Sequence, residues 1–451
     1  MRVRTPARGA YHPVVPHTVR VLLAVATAAV AAGCAPGAAV AAPPWSAPEP
    51  VPGSMDFGYP ASVAVAGDGT VAVAFVRDGV QLALRRPGGT WAETRTLSRG
   101  SFAVTSPGIV ITRRGELIVT WTQAASESGP VDGPITIRAV AGRVGGRLGR
   151  PRRLGTSSHF RLAAPEPVAG SGGHVAVVWR GDDGDGGEAV RVATRAPRRG
   201  FRRAETVPDA GRPHEVYHQQ ASVTRGGGVH VAWTSSIGPA VRYAHRPPRS
   251  DWGRSLTLSG VPASRPRIAA APDGAAVVVW HAAPPDSEGE GIKYGPLFGA
   301  TIGASAAPAR MISAAPVHEA DVAVSRGGEV LVTWSAPPNL ETAPPQAKSL
   351  HFAVRPAGGR IGPEQVVPGL EAGAPSYAPG PRLVVANGGL AVQAFAGDAV
   401  RATLRRPAGT FGRPEVISPS GDFPILAATG RHLVAVFMAG NGRQLELSVR
   451  R

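Results

Sequence analysis

The sequence is short of cysteine, of lysine and of helical pattern, and each shortage removes a class of protein. Cys34 is the only cysteine among 451 residues, so the chain holds no internal disulfide and must rest on a buried core. Lysine occurs twice, as Lys293 and Lys348, although Lys and Arg together number 48 and the net charge is +17. That reliance on arginine, with abundant Ala, Gly, Pro and Val, reads as a GC-rich coding bias, and no nucleic-acid partner is expected. No amphipathic helix pattern of useful length appears, which excludes bundles and coiled coils. Aromatics are only 6% of the chain. The one long apolar run, Val21 to Ala32, is twelve residues. As a helix it would rise about 18 Å against a hydrocarbon core of about 30 Å, too little to span a membrane.

What is present begins with a leader. Arg2, Arg4, Arg8 and Arg20 precede the apolar run, the order of an export signal, so the protein is expected outside the cytoplasm, secreted or anchored to the cell envelope. Two processing points are open. Ala39-Val40-Ala41 suits an ordinary signal peptidase and makes residues 1–41 the signal. Ala31-Ala32-Gly33-Cys34 resembles a bacterial lipobox, which would make 1–33 the signal and attach a lipid to Cys34, the only membrane contact expected. Residues 45–451 then form a single domain, expected as a monomer.

Gly (58 residues) and Pro (45 residues) mark a chain of short strands and tight turns, and a repeat organises them. A short apolar strand, a Gly-rich turn and a second strand ending in an aromatic residue recur at Phe75, Trp121, Trp179, Trp233, Trp280, Trp334, Phe395 and Phe437, spaced 42 to 61 residues apart. A third strand follows, as in Val190-Arg191-Val192-Ala193, and then a turn and a fourth strand. The pattern predicts an all-β fold: an eight-bladed β-propeller of four-stranded antiparallel blades, with seven blades as the fallback. The last unit stops after its third strand. The segment from Trp45 to Val51 resembles the missing fourth, so an N-terminal strand is expected to close the ring. Repetition of the five tryptophans at one register assigns them to packing between blades.

Alternate turns of a meander lie at opposite ends. One face is therefore expected to be tight and basic, with Arg85, Arg86, Arg113, Arg114, Arg143, Arg147, Arg198, Arg199, Arg225, Arg326, Arg355, Arg360, Arg405 and Arg406. The other carries the long, variable loops and the blade connections that crowd the central channel. His159, Arg161, His214, Glu215, Tyr217, His218, Arg265, His318, Glu319, Tyr377 and Asp422 are the candidate ligand-binding residues at that mouth. A polar, aromatic and His-containing mouth suits a glycan or a protein segment.

Metal chemistry finds little purchase. Asp182, Asp183, Asp185 and Glu188 are dense enough for a calcium loop but lack EF-hand spacing, and a solvated acidic loop is the expectation. His214 and His218 do not form the helical HExxH pattern. No cofactor is expected.

The Gly89-Thr90-Trp91 and Gly409-Thr410-Phe411 turns, with Ser250-Asp251-Trp252, resemble the turn of the sialidase-like, Asp-box β-propellers. The resemblance spans the mature chain and implies architecture, because the turn aspartate is absent at its proper spacing. A catalytic sialidase would need three arginines, a tyrosine nucleophile with a glutamate, and an aspartate as acid/base. Phe57-Gly58-Tyr59-Pro60 lacks the arginine expected in the first blade, while Arg161, Arg265, Arg267, Tyr217, Glu215 and Tyr377 lie near suitable positions. No catalytic residue is assigned. The expected function is a non-enzymatic binding or scaffolding propeller presenting its variable face to a glycan or envelope protein; the alternative is a divergent glycoside hydrolase at the same mouth.

Overall fold

The structure is a computed structural model that describes residues 44–54, 61–98, 107–124, 135–157, 164–182, 187–208, 216–235, 240–282, 295–303, 307–317, 319–336, 349–370, 382–386, 389, 391–396, 399–439 and 442–450. It contains eight antiparallel sheets of four strands, arranged as an eight-bladed β-propeller. Blade 1 runs through Ser62–Val65, Val71–Val76, Val80–Arg85 and Arg95–Thr96, each strand pairing with the next. Blades 2 to 7 repeat that order. Among the described residues no helix is long and apolar enough to cross a membrane.

Blade 8 is completed from the far end of the chain. Its strands Asp422–Thr429, His432–Met438 and Leu445–Arg450 receive Glu49–Pro50 as the fourth, with Glu49 opposite Leu447 and Pro50 opposite Glu446. Trp45 extends the closure through a bridge to Arg450 and donates its indole N–H to Glu415 at 3.0 Å. Buried Ser54 fixes the exit from this strand, accepting the Leu445 N–H at 3.1 Å. The ring therefore shuts by hydrogen bonds, leaving no open sheet edge at the join.

Second strands are buried almost end to end and mostly apolar, because both faces of each blade are covered. Trp121, Trp179, Trp233, Trp280 and Trp334 are all fully buried, and they seat one blade against its neighbour. Trp233 of blade 4, for example, packs in a cluster with Ala176, Val178, Val190 and Val192 of blade 3. Burying such a ring contributes up to about 4 kcal/mol by its area, as an upper estimate. The first hairpins turn on glycines in the left-handed region: Gly69, Gly115, Gly173, Gly227, Gly274, Gly328 and Gly389. At Gly227 a Cβ would stand 2.6 Å from the His174 ring of the preceding blade, so bareness as well as φ is required there. The Gly-Thr-aromatic turns close as isolated bridges between Arg85 and Trp91 and between Arg405 and Phe411.

A second inter-blade device concerns arginine. The third strand ends in arginine at Arg85, Arg143, Arg195, Arg246, Arg355, Arg405 and Arg450. Six of these reach back to the preceding blade: Arg85 to Glu49, Arg195 to Glu116 (3.0 Å), Arg246 to Glu205 (2.6 Å), Arg355 to the Thr301 hydroxyl (2.6 Å), Arg405 to Glu329 (2.7 Å) and Arg450 to Glu415 (3.1 Å). Arg85, Arg355 and Arg405, expected on the tight basic face, are thus engaged in ties between blades. Arg405 in particular is buried, at 2% exposure, with both terminal nitrogens on Glu329.

Candidate functional site

The channel mouth is shaped by a repeated irregularity. In blades 4, 5 and 8 the innermost strand is eight residues long (Val216–Val223, Ala263–Ala270, Asp422–Thr429), against four in blades 1, 2, 3 and 7. Pairing slips at the same point in each long strand, between Tyr217 and Gln220, Ser264 and Arg267, and Asp422 and Ile425. The bulged residues sit in the left-handed region: His218 at φ 52°, Arg265 at φ 51° and Phe423 at φ 51°. None is glycine, so each holds strain of roughly 1–2 kcal/mol that the surrounding sheet must offset. Bulges re-aim side chains, and here they do so next to the channel.

Blades 4 to 6 bring a polar cluster together. Arg265 lies 3.4 Å from Glu319, the first residue of the blade 6 inner strand. His218 of blade 4 faces Arg265 and Arg267. Desolvation, and then the charges of those two arginines, push its pKa down to about 4. The residue is nonetheless exposed. What matters for its chemistry is the direction: at neutral pH it is an uncharged imidazole, able to donate one hydrogen bond and accept another. The Tyr217 ring stands 6.3 Å from it, tilted by 44°.

Tyr217 is held from beneath. The buried guanidinium of Arg180 lies 4.7 Å from the centroid of its ring and forms an ion pair with buried Glu188, whose second oxygen accepts the Val216 N–H at 3.0 Å. One buried pair from blade 3 thus fixes both the backbone entering the blade 4 inner strand and the ring of its second residue. Gln220 adds a further tie by donating to Glu166 of blade 3 at 2.9 Å. On the far side of the cluster, Asp321 of blade 6 accepts the Leu383 N–H of blade 7 at 3.0 Å.

Of the candidates read from sequence, the structure gathers Tyr217, His218, Arg265 and Glu319. Asp422 belongs to blade 8, across the ring from blade 4, and its carboxylate accepts the Phe423 N–H at 3.1 Å. His159, Arg161, His214, Glu215, His318, Tyr377, Asp183, Asp185 and Cys34 lie outside the described residues. Glu188 requires a correction: it is no member of a solvated acidic loop but a buried strand residue paired with Arg180, opposite Asp182 in the ladder. Among the described residues no group of three or more His, Cys, Asp or Glu is placed to hold a metal ion. The Arg180–Glu188 pair was missed because its partners stand on either side of a loop of ordinary acidic appearance.

No family model matches the chain, and no curated protein does. Solved structures of similar fold do exist. The polysaccharide lyase Uly1 is 11% identical, with TM-score 0.49, covering 89% of this chain and 90% of that one. A PL25 ulvan lyase bound to a GlcA(1-4)Rha3S unit is 9% identical, with TM-score 0.47, covering 75% and 90%. The Hadza microbial sialidase Hz136 is 12% identical, with TM-score 0.39, covering 71% and 74%. At these identities the likeness is one of fold.

Proposed function

We propose that this propeller is an extracytoplasmic binding protein that takes an acidic glycan at the channel mouth. The observation that carries this reading is Arg265, aimed by a strained bulge and flanked by Arg267 and by a neutral His218. Two guanidinium groups suit a sugar carboxylate or sulfate, and the imidazole and the Tyr217 phenol offer the adaptable donors and acceptors that sugar hydroxyls need. Glu319 offsets part of this charge, so the mouth would select an acidic sugar carrying hydroxyls over a bare anion. The arginine-preceded apolar run Val21 to Ala32, read as an export leader, supports a site of action where envelope or extracellular polysaccharide is met.

The test is a glycan array with purified residues 42–451. Retention of uronate-bearing or sialylated glycans, weakened by Arg265→Ala and by Tyr217→Ala, is the expected result. Retention indifferent to both substitutions would remove the mouth from the reading.

One observation favours a second, catalytic reading. An imidazole beside arginines suited to a carboxylate has the placement for taking the proton next to that carboxylate, although the same arginines weaken it as a base. Incubation with a polyuronate and measurement of the ultraviolet absorbance of an unsaturated product distinguishes the two. Turnover lost in His218→Ala would replace binding alone by chemistry. The glycoside-hydrolase alternative would draw on Glu215 and Tyr377, and liberation of reducing sugar from a panel of aryl glycosides and sialosides tests it.

A further inference from the structure

The opposite end of the propeller, where the tight turns lie, carries two cavities in series. One, of about 520 Å³, lies between blades 3 and 4 and is lined by His174, Arg199, Arg202 and Arg249 above a floor that includes Arg195 and Arg246. The other, of about 500 Å³, lies between blades 2 and 3 and is lined by Arg150, Arg152, Arg198 and Phe201. They share Arg195, Arg199 and Gly200, so the pair forms one groove along the rim. We propose that this groove is a second binding site, separate from the channel mouth, for an anionic polysaccharide.

The groove has a neutralised floor and an uncompensated lip. Arg195 and Arg246 are bound to Glu116 and Glu205, and Glu205 also accepts the Trp252 indole N–H at 2.9 Å, so the floor is fixed and its charge is matched. Arg150, Arg152, Arg198, Arg199, Arg202 and Arg249 are exposed, and none has a carboxylate partner among the described residues. Six free guanidinium groups bordering one groove repel each other unless an anion lies between them. The effect reaches His174, whose pKa is held below the usual value by desolvation and by Arg114 and Arg249. Positive potential continues inward to the channel opening, where Arg113 is lowered by desolvation and by Arg326 and Arg225.

Backbone strain falls on the same residues. At the third position of the turn between third and fourth strands, blades 1, 2 and 6 use Gly88, Gly145 and Gly358 in the left-handed region. Blades 3 and 4 place Arg198 (φ 59°) and Arg249 (φ 62°) there, and blade 7 places Ala408 (φ 56°). Arginine in that conformation costs stability that glycine would not, and in blades 3 and 4 it projects a guanidinium into the groove. Among the described residues the exposed large apolar side chains, Leu256, Val261, Met311, Val366, Val416 and Phe423, lie on outer strands, in a blade connection or at the mouth and not in the tight turns, which gives this face little to insert into a membrane. A chain of repeated anionic groups fits two cavities joined through Arg195 and Arg199.

The test uses the purified chain and dextran sulfate, polygalacturonate and neutral dextran as probes. Dextran sulfate and polygalacturonate are expected to bind and neutral dextran is not, and the ratio of the first two tells sulfate from carboxylate preference. The double variant Arg198→Gly/Arg249→Gly should raise the half-maximal concentration several-fold while raising the melting temperature, because it relieves the strained φ. A control with equal charge loss on blade 7, Arg406→Gln/Arg413→Gln, should change binding much less, and the groove variant should show the same several-fold loss of dextran sulfate binding when made in an Arg265→Ala background, where the mouth no longer contributes. Equal losses in the groove and blade 7 variants would reduce the effect to net charge and overturn the site. Unchanged binding in the groove variant would do the same, as would preferential retention on phosphatidylglycerol vesicles.

Discussion

Arg246, the last residue of the third strand of blade 4, places one guanidinium nitrogen 2.8 Å and 2.6 Å from the two carboxylate oxygens of Glu205 on the outer strand of blade 3. Its second terminal nitrogen donates to the Thr194 hydroxyl at 3.0 Å, and its guanidinium carbon lies 5.6 Å from the centroid of the Trp252 ring. Every group in this cluster either belongs to blade 3 or faces it, so the contact joins modules that the apolar wedge alone would leave free to slide.

Arg246→Ala is expected to cost about 2 kcal/mol, the usual range for a charge-assisted hydrogen bond that leaves a partner unmatched. Arg450→Ala, whose side chain is more exposed than that of Arg246 (28% against 11%), should cost under about 1 kcal/mol. Urea unfolding of the two variants checks the order. Equal costs would show that burial does not set the strength of these ties.

Gln393 is fully buried, and neither its amide nitrogen nor its amide oxygen has a hydrogen-bond partner. The matching register, two residues before the repeated aromatic, holds Val73, Val119, Val177, Val231, Val278 and Val332 in other blades. Gln393→Val should therefore stabilise the protein by roughly 1–3 kcal/mol, since it removes an unpaired polar group from the core. A lower midpoint in thermal melting would contradict this.

His230 is buried, its Nδ1 lies 2.6 Å from the Tyr243 hydroxyl, and it stacks on His245 with centroids 4.1 Å apart. Desolvation, and then His245, lower its pKa to about 3. The unfolded chain, with a histidine near 6.5, binds the proton more readily than the native state. Stability should be full above about pH 6.5 and fall as the pH drops toward about 3, by at most about 1.4 kcal/mol per pH unit from this residue. His230→Ile, which copies Ile118 at the same register of blade 2, should flatten that slope. An unaltered slope would assign the acid sensitivity elsewhere.

A chain beginning at residue 55 lacks Trp45, Glu49, Pro50 and Ser54. It should expose the edge of Leu445–Arg450, melt earlier and form multimers by edge pairing, as size-exclusion chromatography would report. A monomer of unchanged melting temperature would mean that the join contributes nothing.

The blades were legible because their signal is local. A first strand, a glycine turn and a second strand carrying Trp233 or Trp334 lie within one short window, and burial of both faces makes the second strand mostly apolar. The join was legible from the missing fourth strand of the last unit. The arginine ties were not, since Arg405 and Glu329 stand 76 residues apart and a strand-terminal arginine looks like any solvated turn residue. Glu188 was misread for the same reason: its burial depends on Arg180 across the hairpin and on Val216 in the next blade. The bulges at His218, Arg265 and Phe423 break the alternation on which strand reading depends, so the mouth could be named by its loops but not built.

The closing contact also sets an order in time. Trp45 and Glu49 are among the first folded residues made, and their partners Arg450 and Leu447 among the last, some four hundred positions later. Blades 1 to 7 can form one after another as synthesis proceeds, because each needs only its neighbours. The first strand waits through all of it, with its hydrogen-bonding groups open to any other edge. The protein is thus most open to mispairing while incomplete, and the joining of its two ends is the step that finishes it.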